Sequence, residues 1–148
     1  MSFENYFEMG MKMFRSMTTG LFLYPLFVAL SESFDLKTHY YLPQATIFKY
    51  GIIFIVLSIA FFPIAHAAPA FFAKTCKNAE KLGKKIIIGY VISVAMSETI
   101  AVFGLVIYII SADIRYFYLF FILAFVHLVL HRPKKPEWQR LFDLRQSL

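Results

Sequence analysis

One stretch of the sequence constrains the fold more than any other: residues 50–73, between Lys49 and Lys74, carry no formal charge over 24 positions. A helix needs about 20 consecutive apolar residues to cross a bilayer core about 30 Å thick. In lipid, a helix satisfies its own backbone hydrogen bonds, which an irregular segment cannot do. The stretch therefore predicts a transmembrane helix.

Two further apolar stretches follow it. Residues 86–112 contain a single charge, Glu98. Residues 116–131 are short for a span, about 24 Å long at 1.5 Å per residue, but Tyr116 and His131 can anchor its ends at the interface. The chain is 59% hydrophobic and 16% charged, whereas soluble domains carry about 25% charge. We therefore predict an all-α membrane protein with one domain, residues 1–148.

The first apolar stretch, residues 9–31, has two interpretations. It is either a retained helix or a signal peptide, with Lys12 and Arg15 as its basic region and cleavage near Ser31. The late position of the two charges and Pro25 in mid-stretch favour a retained helix. We therefore predict four transmembrane helices, arranged as two hairpins. Their spans lie near residues 9–31, 50–73, 86–112 and 116–131.

The distribution of basic residues predicts the orientation. With the N-terminus in the cytoplasm, twelve Lys and Arg residues lie inside and three, Lys37, Lys49 and Arg115, lie outside. Cytoplasmic loops carry an excess of Lys and Arg, so both termini are predicted to be cytoplasmic. We expect an integral protein of the bacterial inner membrane. Because topology accounts for the net charge of +6, no nucleic-acid partner is expected.

The tail, residues 132–148, begins with Arg-Pro-Lys-Lys-Pro, and its prolines end the fourth span. Four apolar or basic residues then recur at helical spacing. They are Trp138, Leu141, Phe142 and Arg145. This pattern predicts a short amphipathic helix on the cytoplasmic leaflet. A disordered basic tail is the alternative.

Glu98 is the most unusual residue of the apolar stretches. It lies 12 residues after Ile86, about 18 Å into the membrane. An ionised carboxylate at that depth costs about 2.5–3.5 kcal/mol on the more lenient scales, so the side chain should face protein. Such a residue is a candidate functional site. The structural alternative is a neutral carboxyl that hydrogen-bonds a neighbouring helix.

Small residues recur along the same helix in steps of four and three, which keep them on one face. They are Gly89, Ser93, Ser97, Ala101 and Gly104. Small residues at this spacing let helix backbones approach closely in lipid. The face therefore predicts a helix-packing interface, either within one bundle or between protomers.

Residues 96–106, Met-Ser-Glu-Thr-Ile-Ala-Val-Phe-Gly-Leu-Val, resemble the carboxylate-bearing helix of the proteolipid (c-ring) subunits of rotary ATPases. In that family a membrane carboxyl takes up and releases a proton or a sodium ion. The resemblance implies that Glu98 is an ion-binding carboxyl, with Ser97 and Thr99 as oxygen neighbours. The glycine-repeat partner helix of that family has no counterpart in the first two spans.

The sequence contains no phosphate-binding glycine loop, catalytic-triad order or metalloprotease pair. His127 and His131 lie four apart, as metal ligands can, but two ligands make no site, and we expect both to contact headgroups. We expect no cofactor and no bound metal. The leading interpretation is a non-enzymatic membrane subunit or assembly protein packing through its third span, with other membrane subunits or further copies as partners. The alternative is proteolipid-like proton or sodium handling by Glu98; a membrane enzyme or a lipid-binding protein is a third class.

Overall fold

A computed structural model of the chain describes residues 2–34, 42–76 and 81–146, with side chains up to residue 143. Over these ranges it consists of five α-helices and no strand. They are α1 Phe3–Ser33, α2 Gln44–Lys74, α3 Leu82–Ser111, α4 Ile114–Leu130 and α5 Lys135–Gln146. The predicted all-helical class is confirmed.

Three of these helices, α1, α2 and α3, are long and apolar enough to cross a membrane. The 17 residues of α4 meet that test only together with α5, to which α4 is joined at a bend of 53°. These properties are compatible with a membrane protein. The helices begin before the apolar stretches because polar residues also support helical turns; the Ser2 side chain, for example, accepts a hydrogen bond from the Asn5 backbone N–H at 3.5 Å.

The helix α3 is the centre of the structure. Half of its most apolar segment is buried, compared with about a tenth of that of α1. Both α2 and α4 pack along it, while α1 packs on α3 and α4 rather than along α2. Of the two predicted hairpins, the one formed by α3 and α4 therefore agrees with these contacts better than the one formed by α1 and α2. At the last turn of α1, Glu32 accepts a hydrogen bond from the Tyr108 hydroxyl at 2.6 Å, which joins α1 to α3.

The contact between α2 and α3 depends on Pro69. Proline has no backbone N–H, so the Ala65 carbonyl, four residues earlier, loses its partner within α2. The Ser93 hydroxyl of α3 donates to that carbonyl at 2.6 Å. Beside it, Gly89 lies against the backbone of Ala68 and Pro69. The proline that loosens α2 thus supplies the acceptor that α3 uses.

A tight connection turns α3 into α4. Ala112 ends α3 in the left-handed conformation, with φ of 57°. Asp113 then caps α4, since its carboxylate accepts the Arg115 backbone N–H at 2.9 Å. Along the two helices, Gly104 lies close to Phe120. Because the connection is so short, α3 and α4 pack side by side.

The helix predicted for the tail is present as α5, but it packs on other helices. Trp138 is only 4% exposed, with its ring 5.9 Å from that of Phe7 and 5.7 Å from that of Tyr90. Lys135 also forms a 2.8 Å ion pair with Glu4. The tail therefore returns to the first turns of α1, so the beginning and the end of the described chain lie at the same end of the structure.

The close approach of α2 and α3 gives a stability prediction with a matched control. A Cβ atom on Gly89 would lie 2.7 Å from Pro69 Cα and 2.8 Å from the Ala68 carbonyl oxygen, whereas one on Gly51 would meet nothing within 4 Å. Gly89→Ala should lower the free energy of unfolding by about 1–3 kcal/mol, because it overpacks backbone against backbone. Gly51→Ala should raise it by about 0.5–1 kcal/mol through helix propensity. Thermal unfolding in detergent measures both, and equal stabilities would contradict this packing.

Candidate functional site

The polar residues in the middle of α3 point to different neighbours. Successive residues on a helix are about 100° apart, so Ser97 and Glu98 cannot share one surface. Ser97 is buried against α4, while the half-buried Glu98 lies against α1. The centre of α3 therefore has an inner polar position and an outer one.

Glu98 lines an open cleft between α1 and α3 with a volume of about 410 Å³. Its lining residues come from these two helices. They are Gly20, Leu23, Tyr24, Phe27, Glu98 and Leu105. The Glu98 Oε1 atom lies 3.7 Å from the position that a Cβ on Gly20 would occupy, an ordinary contact distance, so the carboxyl lies directly beside α1 at Gly20.

The two polar groups of the cleft, the Glu98 carboxyl and the Tyr24 hydroxyl, have no hydrogen-bond partner among the described residues. They are close enough to interact electrostatically. A half-buried carboxyl of this kind can accept a hydrogen bond from another molecule, pair with a cation, or take up and release a proton. The described residues that line the cleft supply no cation.

The oxygen neighbours implied by the ATPase resemblance lie elsewhere. The Ser97 hydroxyl lies 2.7 Å from His127 Nδ1. The Thr99 hydroxyl donates to the Ala95 carbonyl of its own helix at 2.9 Å. The three predicted ion-site residues are therefore adjacent in sequence, but the described hydrogen bonds do not bring either hydroxyl to Glu98.

All five residues of the predicted packing face, Gly89, Ser93, Ser97, Ala101 and Gly104, are buried. The face is divided between two neighbours. Its first half, at Gly89 and Ser93, lies against α2, while Ser97 and Gly104 lie against α4. The contacts of these small residues are thus made within one chain.

His127 requires a correction. Its spacing from His131 and its place near the end of a span suggested contact with headgroups, yet the side chain is 0% exposed. Besides Ser97, its ring contacts Phe62, with centroids 4.6 Å apart, and His131, at 4.3 Å. Its Nε2 atom is buried and has no hydrogen bond among the described residues. The apolar stretch gave no signal for which side of α4 would face inward.

Two of the histidines, His66 on α2 and His131 after α4, lie near each other in the structure. His66 and His131 have ring centroids 6.3 Å apart. Over the described residues, no group of three or more His, Cys, Asp or Glu side chains converges in a way that could hold a metal ion. The distance between Ser97 and His127 is also found between a catalytic serine and its histidine. Here both side chains are at most 1% exposed, so we interpret the contact as a hydrogen bond between α3 and α4.

A second cavity of about 410 Å³ lies where α2 and α4 end and α5 begins. Sequence reasoning did not find it, because its walls come from four helices. Six of its lining residues are basic or histidine. They are His66, Lys74, His131, Arg132, Lys134 and Arg140. We call this space the basic cavity.

Comparison with known protein families, curated proteins and solved structures finds no match to this chain. The resemblance of residues 96–106 to ATPase proteolipid subunits therefore stays a prediction.

The bond between Ser97 and His127 can be tested against its neighbour on the same helix. Ser97→Ala leaves His127 Nδ1 buried without this partner and should lower the free energy of unfolding by about 0.5–2 kcal/mol. Thr99→Ala removes a hydroxyl that bonds only its own helix, so its effect should stay within about 0.5 kcal/mol. Thermal unfolding of the two variants measures the difference. A larger loss for Thr99→Ala than for Ser97→Ala would contradict the assignment.

Proposed function

We propose that the chain is a non-enzymatic integral membrane subunit that holds a transmembrane helix of a partner subunit in the cleft between α1 and α3. The observation that carries the proposal is the Glu98 carboxyl, which lies in the middle of α3, half-buried and without a hydrogen bond among the described residues. The proposal includes four membrane crossings, with α4 as the fourth, and both termini in the cytoplasm of a bacterial cell.

The cost of an uncovered carboxyl supports a partner at this position. An ionised carboxyl facing hydrocarbon costs at least about 2.5–3.5 kcal/mol, and such residues generally pair with a polar or charged group. A partner helix that brings a hydrogen-bond donor or a cation to Glu98 removes that cost. Polar bonds between helices are also a recognised source of association in lipid. The occupant we propose is therefore a helix with a donor side chain at this depth.

The surface around the cleft fits a helix rather than water. Next to Glu98, α1 presents large apolar side chains: Leu23 is 60% exposed and Phe27 is 56% exposed. Little of α1 is buried by the chain itself, so its outer face is available to lipid or protein. The apolar surface provides contact area for a partner helix, and the single polar group at its centre fixes the position of that helix along the cleft.

The small-residue face of α3 is not the surface we assign to the partner. Gly89 and Ser93 already contact α2, and Gly104 contacts α4. The third span, α3, then contributes to the interface through Glu98 and Leu105, which line the cleft opposite the residues of α1. Packing through the third span is therefore proposed on the Glu98 face.

Ion handling is the second candidate function, and the same carboxyl favours it. A mid-helix Glu98 beside the Tyr24 hydroxyl in an open cleft is suited to exchanging a proton with its surroundings. A sodium site requires several oxygen ligands, and the hydroxyls of Ser97 and Thr99 bond elsewhere. Of the two ions, the arrangement favours the proton.

A photo-reactive amino acid placed at Leu23 tests the proposed interface in native membranes. Val56 on α2 is the matched control, because the two positions are 60% and 59% exposed and only Leu23 lines the cleft. We expect one defined partner to be cross-linked from position 23 and not from position 56. Glu98→Leu should reduce that cross-link about tenfold, the effect of losing about 1.4 kcal/mol of binding free energy. Glu98→Gln, which keeps hydrogen-bonding atoms, should retain most of it.

Other outcomes of this experiment are equally definite. Equal cross-linking from positions 23 and 56, or a cross-link insensitive to Glu98→Leu, would contradict a partner in the cleft. An adduct with twice the mass of the chain would show that a second copy occupies it. If Glu98→Gln keeps the fold but abolishes a proton flux into liposomes, ion handling replaces the subunit function.

A further inference from the structure

The basic cavity is lined by both cations and apolar side chains, and its Arg132, Lys134 and Arg140 are exposed at the rim. Lys74 is the last residue of α2, and Arg132 follows the end of α4. Lys134 precedes α5 and Arg140 lies within it, so the cations come from the ends of two helices and from α5. Ala65, Pro69, Ala70, Leu130 and Leu141 supply apolar lining. Such a space fits a ligand with an anionic end and an apolar end.

Charge within the wall is only partly balanced. Glu137 is the one acidic residue among the described lining residues, and it pairs with Lys134 at 3.1 Å. Among the described residues, no salt bridge is made by Arg132 or Arg140. Two guanidinium groups therefore remain at the rim, and guanidinium groups are well suited to binding phosphate oxygens through paired hydrogen bonds.

Tyr90 provides an independent indication of a ligand. It forms part of the cavity wall and is 1% exposed, and its ring packs on Trp138 at 5.7 Å. Its hydroxyl is buried without a hydrogen-bond partner among the described residues. Buried hydroxyls nearly always have a partner, and this one belongs to a residue that lines the basic cavity, so it is a candidate donor to a ligand bound there.

We propose that the basic cavity binds a phosphate-bearing anion, either the headgroup of an acidic phospholipid or a soluble phosphate ester. Arg132 and Arg140 bind the phosphate at the rim, and the Tyr90 hydroxyl donates a hydrogen bond from the wall. Basic pockets between helix ends on the cytoplasmic side are a recognised kind of lipid-headgroup site. The site is separate from the Glu98 cleft, so it stands whether or not that cleft holds a partner.

Titration of the purified full-length chain in detergent tests the proposal. The probes are phosphatidylglycerol, zwitterionic phosphatidylcholine and glycerol 3-phosphate, with bound ligand measured by native mass spectrometry. We expect phosphatidylglycerol to bind more tightly than phosphatidylcholine. Arg132→Gln combined with Arg140→Gln should weaken its binding about 25-fold, at about fivefold for each basic residue. Tyr90→Phe, which removes only the hydroxyl, should weaken it about fivefold.

The matched control is Lys49→Gln combined with Arg115→Gln, which removes the same charge from two exposed residues outside the cavity lining. It should leave binding unchanged. Competition by glycerol 3-phosphate would identify a soluble ester as the ligand, and binding of the lipid without such competition would identify a headgroup; both support a phosphate site. The proposal is overturned if no probe binds, if the two double variants bind alike, or if Tyr90→Phe binds as tightly as the unaltered chain. Arg132 and Arg140 are exposed, so their variant remains informative should Tyr90→Phe fail to fold.

Discussion

The close approach of α2 and α4 to the small-residue face of α3 is the contact on which the rest of the structure depends. In the membrane arrangement that we propose, helices gain little from burying apolar surface against one another, so association relies on close packing and on hydrogen bonds between helices. Gly89 and Gly104 provide the first, since even a single Cβ at either position would overlap a neighbour. The bond from Ser93 to the carbonyl that Pro69 releases provides the second.

This use of α3 determines what its other surface does. With Ser93 and Ser97 bonded to α2 and α4, Glu98 is left toward α1, which buries it only partly. The same close packing brings the ends of α2 and α4 together beneath α5, where Trp138 completes the wall of the basic cavity. Both proposed binding surfaces are therefore consequences of one packed helix.

The sequence predicted the features that depend on local pattern. Long apolar stretches predicted the positions of α1 to α4, and the periodic small residues predicted which face of α3 is buried. It did not predict the burial of His127, because a stretch as uniformly apolar as α4 does not reveal its inward side. It predicted a helix on the cytoplasmic leaflet for the tail but not the burial of Trp138, since the return of α5 to α1 depends on contacts between residues more than a hundred positions apart. No local pattern predicted the basic cavity either, because its lining residues come from four helices that are distant in sequence.

The first half of the small-residue face of α3, at Gly89 and Ser93, packs against α2 of the same chain. The most direct test of this packing is a chain carrying Ala65→Cys and Ser93→Cys, with the native Cys76 replaced by Ala, treated in membranes with a short bifunctional thiol reagent. The Ser93 hydroxyl lies 2.6 Å from the Ala65 carbonyl, so the account predicts a link within single chains, detected as a cross-linked peptide pair in protein of monomer mass. A link that instead joins two chains, or no link at all, would contradict it.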